Sequence, residues 1–146
     1  ARMQKKPPRI TGIARKLELP ASAIDILRLT GLDKMLAQPV SLLSHGQKQS
    51  LELAMVVALE PRLILLDEPT AGLTKTERTT IGDILKKLTG ELGYAAILVE
   101  HDLDFVREIS SRVVVLHQGK LLMDATVEEV VDSELVKSIY SGGGHD

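Results

Sequence analysis

Leu63-Ile64-Leu65-Leu66-Asp67-Glu68-Pro69-Thr70 is the stretch that decides the fold. Four consecutive branched apolar residues, entered through Pro61-Arg62 and closed by two carboxylates and a proline, predict a strand buried on both faces. In open parallel sheets ligands gather beyond the carboxyl ends of the strands, which places Asp67 and Glu68 where a bound group is handled. Adjacent carboxylates there suit two tasks, one holding a divalent cation and the other polarising an attacking water. The same residues also suit a strand that runs into a helix-capping turn, and the stretch alone does not choose between the two.

Working outward toward the C-terminus, Ala71-Gly72-Leu73 is a tight connection and Thr74 with Glu77 matches a capping box. Ile81, Ile84, Leu85 and Leu88 then fall at helical spacing, and the helix ends around Gly90 to Gly93. Ala95-Ala96-Ile97-Leu98-Val99 predicts a second strand, also apolar on both faces. Strand, helix, strand in this order is a right-handed βαβ unit with parallel strands, so the fold class is α/β. The second strand ends in Glu100-His101-Asp102, at the same sheet edge as Asp67 and Glu68. Asp102 suits the N-cap of a helix carrying Phe105, Val106 and Ile109, which leaves His101 either an exposed or packed residue or a functional neighbour of the carboxylate pair. Val113 to Leu116 is a third strand, turned by His117-Gln118-Gly119-Lys120 and paired back through Leu121-Leu122-Met123 as a hairpin. Thr126 and Glu129 form a second capping box, and Ser133 opens a last helix ending near Tyr140. The tail from Ser141 to Asp146 has nothing to bury and is expected to be mobile.

On the N-terminal side, Ser41-Leu42-Leu43-Ser44-His45-Gly46-Gln47-Lys48-Gln49 is a polar turn leading into a helix that begins near Gly46. Leu51, Ala54, Met55, Ala58 and Leu59 make the stripe expected to face the core. A serine ahead of the terminus, a glycine allowing close backbone approach, and free N–H groups at the positive end of the helix dipole describe an anion site; they equally describe an ordinary Ser44 N-cap. Further upstream, Ser22 caps a short helix through about Thr30 that Gly31 terminates, and Pro39 ends the next segment. Ala1 to Pro20 is basic, broken by Pro7, Pro8 and Pro20, and reads as an irregular lead-in or part of a helix.

The chain has 146 residues, 44% hydrophobic and 26% charged, with a net charge of -2. That is one domain's worth of chain, globular in composition, with no electrostatic footprint for nucleic acid. The absence of cysteine excludes a disulfide framework and a thiolate metal site. No apolar run approaches the ~18 residues that span a bilayer, so the chain reads as soluble. One Phe, two Tyr and no Trp require an aliphatic core.

Taken together, Leu43-Ser44-His45-Gly46-Gln47, Leu65-Leu66-Asp67-Glu68-Pro69, Ala71-Gly72-Leu73-Thr74 and Glu100-His101-Asp102 resemble, in order and spacing, the motifs of the ATP-binding-cassette (ABC) ATPases. The resemblance covers about residues 23–140. His45, Lys48-Gln49 and Ala71-Gly72-Leu73 are similar to the ATPase subunits of branched-chain amino acid and urea importers. The resemblance implies a P-loop NTPase fold, ATP and Mg²⁺ as cofactors, and roles for particular residues. Asp67 would sit at the Walker B position and help hold Mg²⁺ through water. Glu68 would orient the attacking water, and His101 would contact the γ-phosphate. Ser44, Gly46 and Gln47 match the signature loop, which completes the site of the opposite subunit in a head-to-tail dimer. Implied partners are that second ATPase subunit and transmembrane permease subunits, with the protein peripheral on the cytoplasmic face of the cell membrane and no nucleic acid bound. Thr74 departs from the family, most members of which carry aspartate there.

A larger departure is that G-x-x-x-x-G-K-[ST] occurs nowhere; Gly119-Lys120 is followed by Leu121. The adenine-stacking aromatic and the glutamine loop are missing too. The resemblance therefore implies the C-terminal part of a nucleotide-binding domain: 1–45 a remnant of the helical subdomain, 46–140 the later part of the ATPase core, 141–146 a tail. By that resemblance the phosphate-loop strand belongs between the strand ending at Glu100 and the one at Val113 to Leu116, so its absence is expected to leave unpaired edges there, to be met by pairing with another copy, by a rearrangement that closes the gap, or by the rest of a longer chain. The chain alone is expected to be inactive. Two other classes stay open: a non-catalytic dimerisation or regulatory module derived from such an ATPase, and the C-terminal lobe of an SMC-like repair ATPase. Against the latter, Pro7, Pro8, Pro20 and Pro39 disfavour a preceding coiled coil and a net charge of -2 disfavours DNA.

Overall fold

The computed structural model describes residues 18–142, so the lead-in before Glu18 and the end of the tail, 143–146, lie outside it. Its centre is the expected βαβ unit: β1 (Leu63–Asp67), α3 (Lys75–Lys86) and β2 (Ala95–Val99), with the two strands parallel. Ahead of it stand α1 (Ala21–Leu29) and α2 (His45–Val57); behind it come α4 (Leu103–Ile109), the hairpin β3 (Arg112–His117) and β4 (Lys120–Thr126), then α5 (Val127–Asp132) and α6 (Glu134–Gly142).

The helix ends follow local chemistry. Ser44, Thr74 and Thr126 each cap a helix, and the Gln or Glu three residues on closes the capping box. Asp102 caps α4 by accepting from the Phe105 N–H. Gly31, at φ 72, ends the first helical segment as expected. At the start of α1 the N-cap is Pro20 rather than Ser22, because the helix begins two residues earlier and Pro20, extended at φ -61, sets its entry. Beyond α3 the backbone winds into a π-helical turn over Lys87–Glu91, and Gly93 at φ 72 releases it into β2. The hairpin turns through Gln118 and Gly119, both at positive φ, as a two-residue primed turn requires. Its open end is fastened by the fork of Arg112 on the Asp124 carboxylate, at 2.7 and 2.8 Å.

Ile81, Ile84, Leu85 and Leu88 are all buried, as their spacing requires, and they join Ile64, Leu53, Val57 and Ile26 in the main core. A smaller cluster of Val115, Val130 and Val136 lies between the hairpin and the last two helices. Aliphatic side chains dominate both.

Two further expectations are corrected. The buried side of α2 carries Gly46, Ser50, Leu53, Ala54 and Val57, while Met55 and Leu59 are exposed. The predicted stripe is displaced because α2 packs on α1 and α3 through Leu53, Val57 and its small residues, and Ala54 is shared by both stripes. More consequentially, neither central strand is covered on both faces. Ile64 is buried toward the helices, whereas Leu65 is 70% exposed and Ile97 58% exposed on the opposite side. All the helices that cover β1 and β2 among the described residues lie on one side, so the run of apolar residues is buried only in alternation.

The four strands form two separate two-stranded sheets, β1–β2 parallel and β3–β4 antiparallel. No ladder joins β2 to β3. The edges of β2 and β3 at that place are thus unpaired among the described residues, and the gap is not closed by rearrangement.

The asymmetry of β1 generates a stability test. Ile64→Ala should lower unfolding free energy by about 2–5 kcal/mol, since it empties a fully buried site. Leu65→Ala, one residue along, should change it by less than about 1 kcal/mol. Urea unfolding of both variants measures this, and equal losses would mean that the outer face of β1 is covered after all.

Candidate functional site

Parallel pairing fixes the site. The register sets Leu63 opposite Ala95 and Asp67 opposite Val99, so both chains leave the sheet at one edge. The Glu68 N–H continues the ladder by donating to the Val99 carbonyl at 2.9 Å. His101 thereby comes beside Glu68, with Nδ1 at 3.5 Å from Oε1. Both side chains are exposed and open to a ligand.

Glu68 holds its position under strain. Its φ of 45 lies in the left-handed region, costly for a side chain of this size by about 1–3 kcal/mol. The turn that imposes it is closed by the Ala71 N–H donating to the Glu68 carbonyl at 3.0 Å and followed by Gly72 at φ 69. Pro69 and Thr70 are buried beneath it. Asp67 ends β1 exposed, and among the described residues its carboxylate has no hydrogen bond or ion pair.

The donor set suits Mg²⁺ held by one carboxylate together with water and phosphate oxygens. That ion keeps most of its waters and commonly takes only one or two protein carboxylates. No group of three or more metal-ligating side chains occurs among the described residues, so an all-protein cation cage is not what Asp67 offers. A groove of about 230 Å³ between α2 and β1 ends at Asp67 and Pro69.

Ser44, Gly46 and Gln47 start α2, and the structure gives each a partner. The Ser44 hydroxyl accepts from the Gln47 N–H at 3.2 Å, and the Gln47 side-chain oxygen accepts from the Ser44 N–H at 2.9 Å. Ser44 is thus an N-cap. The anion at this terminus is also present, and it belongs to the chain: Glu77 Oε1 accepts from the Ser44 hydroxyl at 3.1 Å and from the Gly46 N–H at 3.2 Å. Only glycine permits this, because a Cβ at position 46 would stand 2.5 Å from Glu77 Cγ. Glu77 Oε2 meanwhile serves its own helix, accepting from the Thr74 N–H at 3.0 Å and the Thr74 hydroxyl at 2.9 Å. Thr74, at the departure from the family pattern, is a helix cap.

His45 adds a second tie, its Nε2 standing 3.2 Å from the Ala71 carbonyl oxygen beside Gly72. The turn before α2 is therefore fastened to the loop that follows Glu68. The capping box in the sequence marked Glu77 as an N3 residue; its reach across more than thirty residues to Ser44 and Gly46 left no periodic signal. Arg78, which pairs with Asp102 next to His101, likewise carries no local signal of its partner.

The family model for ABC transporters matches residues 3–71. An ABC transporter ATP-binding protein of Vibrio parahaemolyticus is 37% identical over 122 residues, which are 84% of this chain and 21% of that protein. The high-affinity branched-chain amino acid transport ATP-binding protein BraF of Pseudomonas aeruginosa is 38% identical over 100 residues, 68% of this chain and 39% of that protein. Among solved structures, an ATP-binding cassette of an ABC transporter in its ADP conformation aligns with a TM-score of 0.73 at 25% identity, over 83% of this chain and 49% of that one. CbiO1 from Clostridium perfringens, part of an ABC transporter complex, aligns with a TM-score of 0.69 at 30% identity, over 85% of this chain and 52% of that one. The chain thus spans only a part of each relative's length.

The double use of Glu77 makes the junction sensitive to acid. Hydrogen bonds from the Thr74 N–H, the Thr74 hydroxyl, the Ser44 hydroxyl and the Gly46 N–H hold its carboxyl below the ordinary value of 4.5. A depressed folded value means that the stabilisation is present above the unfolded value and lost as pH falls through the folded one. Amide exchange at Gly46 and Thr74 should therefore accelerate, relative to the main core, only below about pH 4.5. Hydrogen exchange followed by NMR from pH 6 downward checks this, and an onset at neutral pH would contradict it.

Proposed function

Because the chain belongs to the ABC ATPases, we propose that it is the C-terminal portion of an ATP-hydrolysing subunit that energises import of a small polar solute such as a branched-chain amino acid or urea. The observation that carries the reading is the meeting of Glu68 and His101 at the shared end of two parallel strands, with the open carboxylate of Asp67 beside them. The BraF relative and the His45, Lys48-Gln49 and Ala71-Gly72-Leu73 resemblance support the solute class.

In this reading Asp67 would hold Mg²⁺ through water, an ion that would supply positive charge against the charge developing on the phosphate. Glu68, strained and exposed, orients and polarises the attacking water. His101, 3.5 Å away, reports the terminal phosphate to the same corner. Ser44, Gly46 and Gln47 present their turn to the nucleotide of a second subunit in a head-to-tail pair. Residues 1–45 then belong to the helical subdomain and 46–140 to the ATPase core. The intact protein sits at the cytoplasmic face of the membrane, against permease subunits. No helix among the described residues is long and apolar enough to cross a membrane.

One observation favours a second reading, a non-catalytic dimerisation or regulatory module. Two of the donors at the start of α2, the Ser44 hydroxyl and the Gly46 N–H, are already taken by Glu77, which stands where an external phosphate would be bound.

The two readings part in a chimera in which the upstream half of an ABC ATPase, carrying the phosphate loop, precedes Ala1. Mg·ATP turnover that falls by about 10²-fold or more in Glu68→Gln is expected for the ATPase portion. Folded chimera without turnover, or turnover indifferent to Glu68→Gln, would favour the module. The chain alone should show no saturable turnover, because phosphoryl transfer rests on positioning by a phosphate loop that its sequence does not contain.

A further inference from the structure

Glu100 follows the last residue of β2 and divides its carboxylate between two loops. Oε1 accepts from the Thr70 N–H at 3.2 Å and from the Thr70 hydroxyl, while Oε2 accepts from the His101 N–H at 3.2 Å. Thr70 is buried at 5% exposure and lies two residues after Glu68, inside the turn that holds Glu68 at its left-handed φ. On one side that turn is fixed by the Glu68 N–H donating to the Val99 carbonyl. On the other it has Glu100. Three donors on one carboxylate are within its acceptor capacity, and a charged acceptor makes each bond stronger than a neutral one.

The next residue along is held as well. Asp102 accepts from the Phe105 N–H at 3.0 Å and pairs with Arg78 of α3, so the main chain of His101 is fastened at both neighbours while its ring is 71% exposed. An exposed ring on a fastened backbone, next to a strained Glu68 in a closed turn, is what a pair needs whose separation matters.

We propose that Glu100 is a positioning residue that sets the placement of Glu68 relative to His101 by clamping the turn after β1 to the turn after β2. The role rests on reading Glu68 and His101 as the water-orienting and phosphate-sensing groups. It concerns a residue that touches neither water nor phosphate in that reading and acts through Thr70 and the His101 main chain.

The chemistry separates two substitutions. Glu100→Gln keeps an oxygen for Thr70 but sets an amide NH₂ against the His101 N–H, two donors facing each other. Glu100→Ala removes both acceptors. Hydrogen exchange of the full chain, read by NMR, should show the Thr70 and His101 amides both accelerated by at least about tenfold in Glu100→Ala. In Glu100→Gln only His101 should accelerate, and amides of the β3–β4 hairpin should be unaffected in either. The nuclear Overhauser contact between the His101 ring and the Glu68 side chain should weaken in Glu100→Ala. Unchanged exchange at Thr70 in Glu100→Ala, or exchange in Glu100→Gln that stays native at both amides, would overturn the proposal, the latter by showing that the side chain only fills space. Should Glu100→Ala fail to fold, Thr70→Val against Thr70→Ser supplies the same contrast at the hydroxyl: the serine should keep the His101–Glu68 contact and the valine weaken it, and equal contacts in the two would overturn the proposal. No nucleotide enters these measurements, so their failure is distinct from failure of the ATPase reading, which the chimera's response to Glu68→Gln decides.

Discussion

The structure depends on the parallel pairing of β1 with β2. Two parallel strands joined through α3 must end at the same edge, and everything with chemical potential in this chain is attached to that edge. The helix supplies the means. Ile81, Ile84 and Leu85, with Leu88 of the π-helical turn that follows, bury its apolar side against Ile64 and the neighbouring helices, and that burial holds the crossover down so that the strands align. Asp67, Glu68 and His101 inherit their places from this register, and Glu68 accepts an unfavourable backbone conformation because the ladder on one side and the closed turn on the other leave it no alternative.

Capping boxes do a second kind of work here. Thr126 with Glu129 is the ordinary form, a local closure of one helix that also holds the Glu129 carboxyl below its usual range. Thr74 with Glu77 has the same pattern, yet Glu77 also accepts from Ser44 and Gly46 and so joins the starts of two helices. The difference lies in the neighbour. Gly46 presents no Cβ, and the carboxylate comes within hydrogen-bond distance of a main-chain N–H that a larger residue would shield. The turn before α2 and the loop after Glu68 are thereby parts of one assembly, tied again by His45 on the Ala71 carbonyl.

Much of this was legible in the sequence where the signal is local. The capping boxes at Thr74 and Thr126, the cap at Asp102, the Gly31 terminus and the hairpin turn at Gln118-Gly119 depend on a few adjacent residues and lie where the sequence sets them. The meeting of Glu68 with His101 was legible too, because a βαβ unit admits little else. What failed was inference about burial from a run of apolar residues. Leu63-Ile64-Leu65-Leu66 carries no record of how many sides are covered, and in this chain only one is. The buried face of α2 was displaced for a similar reason: Ser50 is buried by donating to the Gly46 carbonyl at 2.9 Å, which a count of apolar positions does not register. The long-range roles of Glu77, Arg78 and Glu100 were out of reach because each depends on a partner more than twenty residues away.

The measurement that bears most directly on the central claim is the cross-strand register of β1 and β2 in solution, read from backbone nuclear Overhauser contacts in the isotope-labelled chain. Contacts that set Asp67 opposite Val99 and Leu65 opposite Ile97 are expected. Contacts displaced by two residues would move His101 roughly 7 Å past Glu68 and contradict the site described.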